Sequence, residues 1–138
     1  LNDLGIQPYL IGSGLLAVIA QRLIRKLCKS CKKETTQTVE ELQSLGIPRR
    51  VLDLHPDYTL FEPVGCIHCR NTGYSGRQAI VEILEVDEDI ETMITNKANT
   101  QEILKVAHQK GMFSMKEDGY VKALFGVTNI EEIFRVVN

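Results

Sequence analysis

Apolar residues near the start of the chain recur at a spacing that suits a helix. Ser13 can cap a helix, and the apolar residues after it fall on one helical face: Leu15, Leu16, Ile19 and Leu23. Periodicity alone would let this helix run to Leu27. The same stretch could instead become a strand at about Gln21, with Leu23, Arg25 and Leu27 on one face. The pattern leaves both possibilities open.

The middle of the chain predicts one short helix and two extended pieces. Thr38 and Glu41 have the spacing of a capping box, and Gly46 followed by Pro48 ends the helix that it opens. A short extended piece is expected near 59–62. Gln78–Leu84 is rich in β-branched residues, with apolar side chains on both faces, which predicts a strand buried on both sides.

Four helices are predicted after this strand, each from its own start signal. The signals are the acids Asp87, Glu88 and Asp89, then Asn99 with Glu102, Ser114 with Glu117, and Thr128 with Glu131. Gly111 and Gly126 end the second and third of these helices. The short connections predict a compact helical cluster.

The four cysteines form two pairs, Cys28 with Cys31 and Cys66 with Cys69, each with two residues between its members. This spacing lets both thiolates of a tight turn, or knuckle, face one ion, and two knuckles supply the closed tetrahedral set of structural zinc. Disulfides, an iron site and a redox dithiol are the alternatives. No signal peptide points to an oxidising compartment. The spacing therefore favours zinc.

Near the second knuckle, two glycines are expected to allow unusual backbone geometry, and a histidine is expected to face solvent. Gly73 and Gly76 suit a positive φ or close backbone approach beside the metal. His68 lies between two sulfurs that would bind first, so we interpret it as a solvent-side residue. His55 and His108 are isolated and are expected to be ordinary structural residues.

Composition and charge fit one ordinary folded domain, with room for a small metal-bound appendage. The chain has 138 residues, 43% hydrophobic and 25% charged, with a net charge of −2. Six basic residues nevertheless surround the first knuckle: Arg22, Arg25, Lys26, Lys29, Lys32 and Lys33. They form either a patch for phosphate, acidic lipid or acidic protein, or simply a solvated face. No apolar run reaches the length of a membrane span.

Familiar catalytic motifs are absent from the sequence. It contains neither G-x-x-x-x-G-K-[ST] nor G-x-S-x-G, and all cysteines belong to the two pairs, so none is a candidate nucleophile. Four thiolates leave no open position, which makes the expected zinc structural rather than catalytic. No catalytic residue is predicted.

The order of these motifs resembles one family over nearly the whole chain. The matching stretches are Ala17–Cys31, Gly65–Arg77, Ala79–Leu84, Gly111–Met112, Glu117–Tyr120 and Gly126–Arg135. They are similar to the carboxyl-terminal part of the traffic ATPases that power type II secretion and type IV pilus assembly, namely general secretion pathway protein E and its pilus-assembly relatives.

The resemblance implies an α/β fragment from the carboxyl-terminal part of a RecA-like ATPase core. Residues 1–27 would end the core with a helix and a strand, residues 28–75 would be an inserted tetracysteine zinc subdomain, and residues 76–138 a core strand and about four helices. The strands on either side of the insertion would pair antiparallel. On this basis we favour a helix to Ala20 and a strand from Gln21.

The resemblance also implies a cellular location, an oligomeric state and partners for the longer protein. The longer protein would be a cytoplasmic hexamer that contacts other subunits and an inner-membrane platform, with at most peripheral membrane contact. ATP and magnesium would bind to motifs expected before Leu1, so this stretch alone is not expected to hydrolyse ATP.

The competing hypothesis is a free zinc-ribbon module that binds nucleic acid through the basic residues. Such a module should interleave aromatic residues with them, for stacking on bases. No aromatic residue lies between Arg22 and Lys33. We therefore expect no nucleic-acid partner.

Overall fold

The structure is a computed structural model, and it describes residues 2–137. In that range the chain forms seven α-helices: α1 (Pro8–Gly14), α2 (Val39–Ser44), α3 (Arg49–Leu54), α4 (Glu88–Thr95), α5 (Thr100–Gln109), α6 (Met115–Leu124) and α7 (Ile130–Val136). The strands of the same range are β1 (Ala17–Leu27), β2 (Lys33–Thr35), β3 (Leu60–Glu62) and β4 (Tyr74–Glu85). Short 3-10 helices cover Asn2–Leu4 and Ile67–Cys69.

The strands form two small sheets, each of two neighbours. β1 pairs with β4. The Cys28 N–H donates to the Gly73 carbonyl at one end of this pair, and the Val86 N–H donates to the Leu16 carbonyl at the other, so the strands run antiparallel. β2 pairs antiparallel with β3, with Lys33 opposite Glu62. The predicted α/β class with an antiparallel strand pair is confirmed.

The predicted helix from Ser13 to Ala20 is wrong. α1 ends at Gly14, and β1 begins at Ala17, four residues before the expected start at Gln21. Pro8 opens the helix early because its φ is already helical, and the Ser13 hydroxyl donates to the Tyr9 carbonyl instead of capping a new helix. Pairing with β4 then decides the conformation of the β-branched residues that follow.

The region between the knuckles contains two helices where the sequence predicted one. The capping box of α2 is confirmed in both directions: the Thr38 N–H donates to Glu41 Oε2 at 2.7 Å, and the Glu41 N–H donates to Thr38 Oγ1 at 3.2 Å. Pro48, expected only to end a helix, is also the N-cap residue of α3. β2 has three residues, too few to show a period in the sequence.

The four carboxyl-terminal helices are confirmed as α4 to α7, with one wrong start. Asp87 caps α4, and Asn99 with Glu102 forms a complete capping box on α5. The N-cap of α7 is Asn129, not Thr128. The Thr128 hydroxyl donates instead to the Arg25 carbonyl at 2.9 Å. This bond to β1 cannot be predicted from the residues next to Thr128.

The described residues divide into two compact units. One comprises the residues up to Ala20 with Glu82–Ser114; the other comprises Gln21–Val81 with the residues from Met115. The predicted boundaries at 27 and 75, with residues 28–75 as an insertion, stay a prediction.

Each unit has its own apolar interior. In the first unit α1 packs on α4, and Ile11, Ile90 and Ala107 are buried. The second unit has the larger core, drawn from β1, α2, the turn after it, α3, β3, β4, α6 and α7: Ile24, Leu42, Ile47, Val51, Leu52, Leu60, Ile80, Tyr120, Ala123, Leu124, Ile130 and Ile133. On β4, the sequence predicted burial on both faces. Ile80 is fully buried on one face, whereas Ile83 on the other face is 48% exposed, so the prediction is wrong at Ile83.

Within residues 2–137, no helix combines the length and the apolar character that crossing a membrane requires.

Candidate metal centre

The four cysteine sulfurs come together in the second unit. All four Sγ atoms lie within 4.8 Å of one another. Individual separations are 3.9 Å between Cys28 and Cys66, 3.8 Å between Cys31 and Cys69, and 3.8 Å between Cys66 and Cys69. None of the four is in a disulfide.

These separations fit a metal ion surrounded by four thiolates. With a zinc–sulfur distance of about 2.3 Å, the edges of a sulfur tetrahedron are about 3.8 Å long. A disulfide needs sulfurs at about 2.05 Å. The four thiols could therefore hold one ion with little rearrangement, and the group they form contains no histidine or carboxylate.

The first knuckle is a tight turn at the end of β1. The Cys28 carbonyl accepts the N–H of Cys31 at 3.3 Å and the N–H of Lys32 at 2.9 Å. These two bonds fold the chain back within one turn. Cys31 is thereby brought to the same side as Cys28, which is buried at the strand end.

The second knuckle has the same bond between its two cysteines and a second bond that reaches one residue further along the chain. The Cys66 carbonyl accepts the N–H of Cys69 at 3.2 Å and that of Asn71 at 2.8 Å. Arg70 and Asn71 adopt left-handed conformations, with φ of 52° and 62°. This geometry lets the chain leave the knuckle towards β4, whose first residue is Tyr74.

Backbone N–H groups point at two of the sulfurs. Gly65 donates to Cys31 Sγ at 3.3 Å, and both Cys66 and Gly73 donate to Cys69 Sγ at 3.2 Å. N–H donors of this kind stabilise thiolate, the form that binds metal.

The thiols of Cys31 and Cys69 differ in acidity. Burial raises the pKa of Cys31 to about 11, in spite of the Gly65 N–H. Burial also acts to raise the pKa of Cys69, but the N–H groups of Cys66 and Gly73 outweigh it and lower the value to about 6. A cation beside the Cys31 sulfur would favour its thiolate form, against the effect of burial.

Two glycines beside the sulfurs allow this close packing. At Gly65, with φ of 114°, a Cβ would lie 2.9 Å from the Asn71 carbonyl oxygen. At Gly73, with φ of 79°, a Cβ would lie 2.5 Å from Pro63 Cβ. The prediction for Gly73 is confirmed. Sequence reasoning missed Gly65, whose signal was its place directly before Cys66.

Comparison with known proteins identifies the family. A family model described as type II/IV secretion system protein matches residues 1–135. The type IV pilus assembly ATPase PilB of Thermus thermophilus is 38% identical over 96% of this chain, and the type II secretion system protein E of Aeromonas hydrophila is 38% identical over 99% of it. The type IV pilus assembly ATPase TfpB of Acinetobacter baylyi is 36% identical over 99%.

The chain belongs to the type II/IV secretion system protein family. The family resemblance that the motifs predicted is thereby confirmed. The chain spans 15% of the length of the Thermus relative, 23% of the Acinetobacter relative and 26% of the Aeromonas relative.

Much of the basic surface near the first knuckle makes contacts within the chain. Arg22 donates to the Val136 carbonyl, and Lys32 Nζ donates to the Gly126 carbonyl at 2.8 Å. Lys33 lies 3.8 Å from a Glu62 oxygen, and Arg25 pairs with Glu132. Four of the six basic residues thus have partners within the protein, which favours a structural role over a patch for an outside ligand.

The secretion-family chain also contains a buried ion-pair cluster that sequence reasoning missed. The side chain of Glu132, on α7, is fully buried and accepts bonds from both Arg25 and Arg135. Burial acts to raise the pKa of Glu132, but these guanidinium groups lower it to about 2. The sequence signal was ambiguous, because an acid at this position also suits the first turn of a helix.

The histidines stand apart from the sulfurs. His68 is exposed and is not in the thiol group. His55 makes an edge contact with Phe125, with ring centroids 4.6 Å apart. His108 Nδ1 lies 3.0 Å from the Met112 carbonyl oxygen. These surroundings match the ordinary roles expected of them.

Proposed function

We propose that this chain is the carboxyl-terminal, zinc-containing region of a hexameric ATPase that powers type II protein secretion or type IV pilus assembly. Names of the relatives support this assignment, since they are pilus assembly ATPases and type II secretion proteins. ATP and magnesium would bind elsewhere in the longer protein, because this sequence has no phosphate-binding G-x-x-x-x-G-K-[ST] loop. That protein would lie in the cytoplasm and reach the inner membrane through platform proteins.

The observation that carries the proposal is the group of four sulfurs at tetrahedral separations. Thiolate ligands select zinc, copper(I) or iron–sulfur clusters, and a closed set of four around one ion is typical of structural zinc. Cys28, Cys31, Cys66 and Cys69 would hold the ion. The ion would supply a structural cross-link between the end of β1 and the turn before β4.

The metal-bound region would shape a surface for neighbouring subunits or the platform. At the second knuckle, Val64 is 59% exposed and Ile67 is 86% exposed. Exposed apolar side chains held on a rigid turn suit a protein contact. Without the ion, the turn that presents them would lose its shape, which supports a role in packing and coupling.

A paired experiment tests this role in the longer ATPase. Cys66→Ser removes one sulfur, and His68→Ala, in the same knuckle, serves as the control. We expect Cys66→Ser to lose zinc and to abolish secretion or pilus assembly while nucleotide affinity stays within about twofold of wild type. His68→Ala should retain zinc and full output.

Two results would contradict the proposal in different ways. Anaerobically purified wild type that contains no zinc would remove the metal assignment. Normal secretion or pilus assembly by a Cys66→Ser variant shown to have lost zinc would make the metal dispensable, and the coupling role would be withdrawn.

A further inference from the structure

We propose that the C-terminal segment, Gly126–Val136, and the metal centre stabilise each other, and that Glu132 is the positioning residue through which they are linked. The inference rests on the proposed binding of zinc. It adds a reciprocal consequence: losing the ion should loosen the C-terminal segment, and losing Glu132 should loosen the ion.

The C-terminal segment lies along β1 as its second neighbour. The Leu27 N–H donates to the Val127 carbonyl at 2.8 Å, and the Thr128 hydroxyl donates to the Arg25 carbonyl at 2.9 Å. The Arg25 N–H then donates to Glu132 Oε1 at 2.9 Å. The Glu132 carboxylate therefore accepts the hydrogen bond of a β1 N–H that would otherwise need the carbonyl of a neighbouring strand.

One line of contacts runs from Glu132 to both knuckles. The Arg25 guanidinium donates to Glu132 Oε2 and stacks over the Tyr74 ring at 4.1 Å. Tyr74 follows Gly73, whose N–H donates to Cys69 Sγ and whose carbonyl accepts the Cys28 N–H at 2.9 Å. Through Tyr74 and Gly73, the position of Arg25 thus affects the position of one cysteine in each knuckle, Cys28 and Cys69.

A second line of contacts reaches the first knuckle from the start of the segment. Lys32, the residue after Cys31, donates to the Gly126 carbonyl and lies over the Phe61 ring at 3.9 Å. Its own N–H is held by the Cys28 carbonyl. The segment therefore contacts the metal region at two separate points.

Reciprocity follows from thermodynamic linkage. If docking of the segment raises metal affinity by some factor, metal binding must favour docking by the same factor. Residues that orient metal ligands typically change affinity by about 10- to 100-fold. Because Glu132 acts through Arg25 and Tyr74, we expect the zinc affinity to fall about tenfold, at the low end of that range. We expect this fall to appear as faster release, since affinity differences between related complexes lie mostly in the dissociation rate.

The first arm of the test measures zinc release to a chromogenic chelator from the full chain. Glu132→Gln keeps the shape of the side chain and removes its charge. Glu117→Gln is the matched control, because Glu117 is also a mostly buried acid paired with an arginine, Arg50, in the same unit. We expect zinc to leave Glu132→Gln about tenfold faster than wild type, and to leave Glu117→Gln at nearly the wild-type rate.

A milder variant covers the possibility that Glu132→Gln does not fold. Thr128→Val removes the hydroxyl that donates to Arg25 and keeps the side-chain volume. Thr128→Val should also speed zinc release, by a smaller factor than Glu132→Gln. The absorption spectrum of the cobalt-substituted centre should stay tetrahedral in every variant, because the four ligands are unchanged.

The second arm follows hydrogen exchange in wild type before and after zinc removal under reducing conditions. The Leu27 and Val137 amides, which donate to Val127 and Ile133, should exchange about tenfold faster without zinc. The Ile103 amide of α5, which donates to Asn99 in the other unit, is the internal control and should not change.

The outcomes separate this inference from the proposed function. Wild type that binds no zinc refutes the proposed function. Wild type that binds zinc but shows equal release rates for Glu132→Gln and Glu117→Gln, or unchanged exchange at Leu27 and Val137, refutes the reciprocal link alone.

Discussion

Replacing Gly73 by alanine should disturb the metal region far more than the same change at Gly76. Both glycines have nearly the same φ, 79° and 80°, and both lie where the second knuckle joins β4. Their surroundings differ. A Cβ at Gly73 would meet Pro63 Cβ at 2.5 Å and its Cα at 3.2 Å, whereas a Cβ at Gly76 meets only Lys26 Cδ at 3.9 Å.

The expected losses of stability follow from the cost of a left-handed backbone and the cost of overpacking. A left-handed backbone costs an alanine about 1 kcal/mol, and both variants incur this cost. Gly73→Ala adds overpacking against a rigid proline ring, at about 1–3 kcal/mol. We therefore expect the free energy of unfolding to fall by about 1 kcal/mol for Gly76→Ala and by about 3 kcal/mol for Gly73→Ala.

The Gly73 variant should also affect the metal, because Gly73 bonds to Cys69 Sγ through its N–H and to Cys28 through its carbonyl. Urea unfolding with excess zinc gives the two free energies, and the time course of zinc transfer to a chromogenic chelator gives the rates of metal release. Equal loss of stability in both variants would show that the contact with Pro63 relaxes freely. The explanation of Gly73 by close packing would then be wrong.

Three further predictions concern the second unit. The stability that the Glu132 ion pairs contribute should be complete above pH 4.5 and be lost only as pH falls towards 2, because the pKa of Glu132 is lower in the folded protein than in the unfolded chain. The difference in unfolding free energy between wild type and Glu132→Gln, measured in urea, should therefore be constant at about 3 kcal/mol from pH 8 to 5.5. A difference that shrinks across this range would contradict the lowered pKa. Leu42→Ala should cost about 2–5 kcal/mol, since Leu42 is fully buried, whereas Leu45→Ala, at a residue 41% exposed, should cost less than about 1 kcal/mol in the same assay. Thr38→Ala removes one arm of the capping box on α2 and should lower the unfolding free energy by about 1 kcal/mol; an unchanged value would show that water replaces the cap.

Some of this structure was readable from the sequence because its causes are local. The capping boxes at Thr38 and Asn99 depend on residues three positions apart, and both formed as predicted. The knuckle spacing depends on the reach of one turn, and the structure brings all four sulfurs together. The order of the motifs was enough to indicate the family.

Other features depended on partners distant in the chain, and only the tertiary structure decided them. Periodicity predicted a helix for Ala17–Ala20 and left helix or strand open only from Gln21, whereas pairing with β4 makes all of Ala17–Leu27 a strand. Thr128 looked like a helix cap, yet its hydroxyl bonds to Arg25, 103 residues away. Glu132 had no predicted role, because an acid there suits the first turn of a helix, and it is the buried centre of an ion-pair cluster. In each case the residue type was suited to two environments, and the long-range contact selected one.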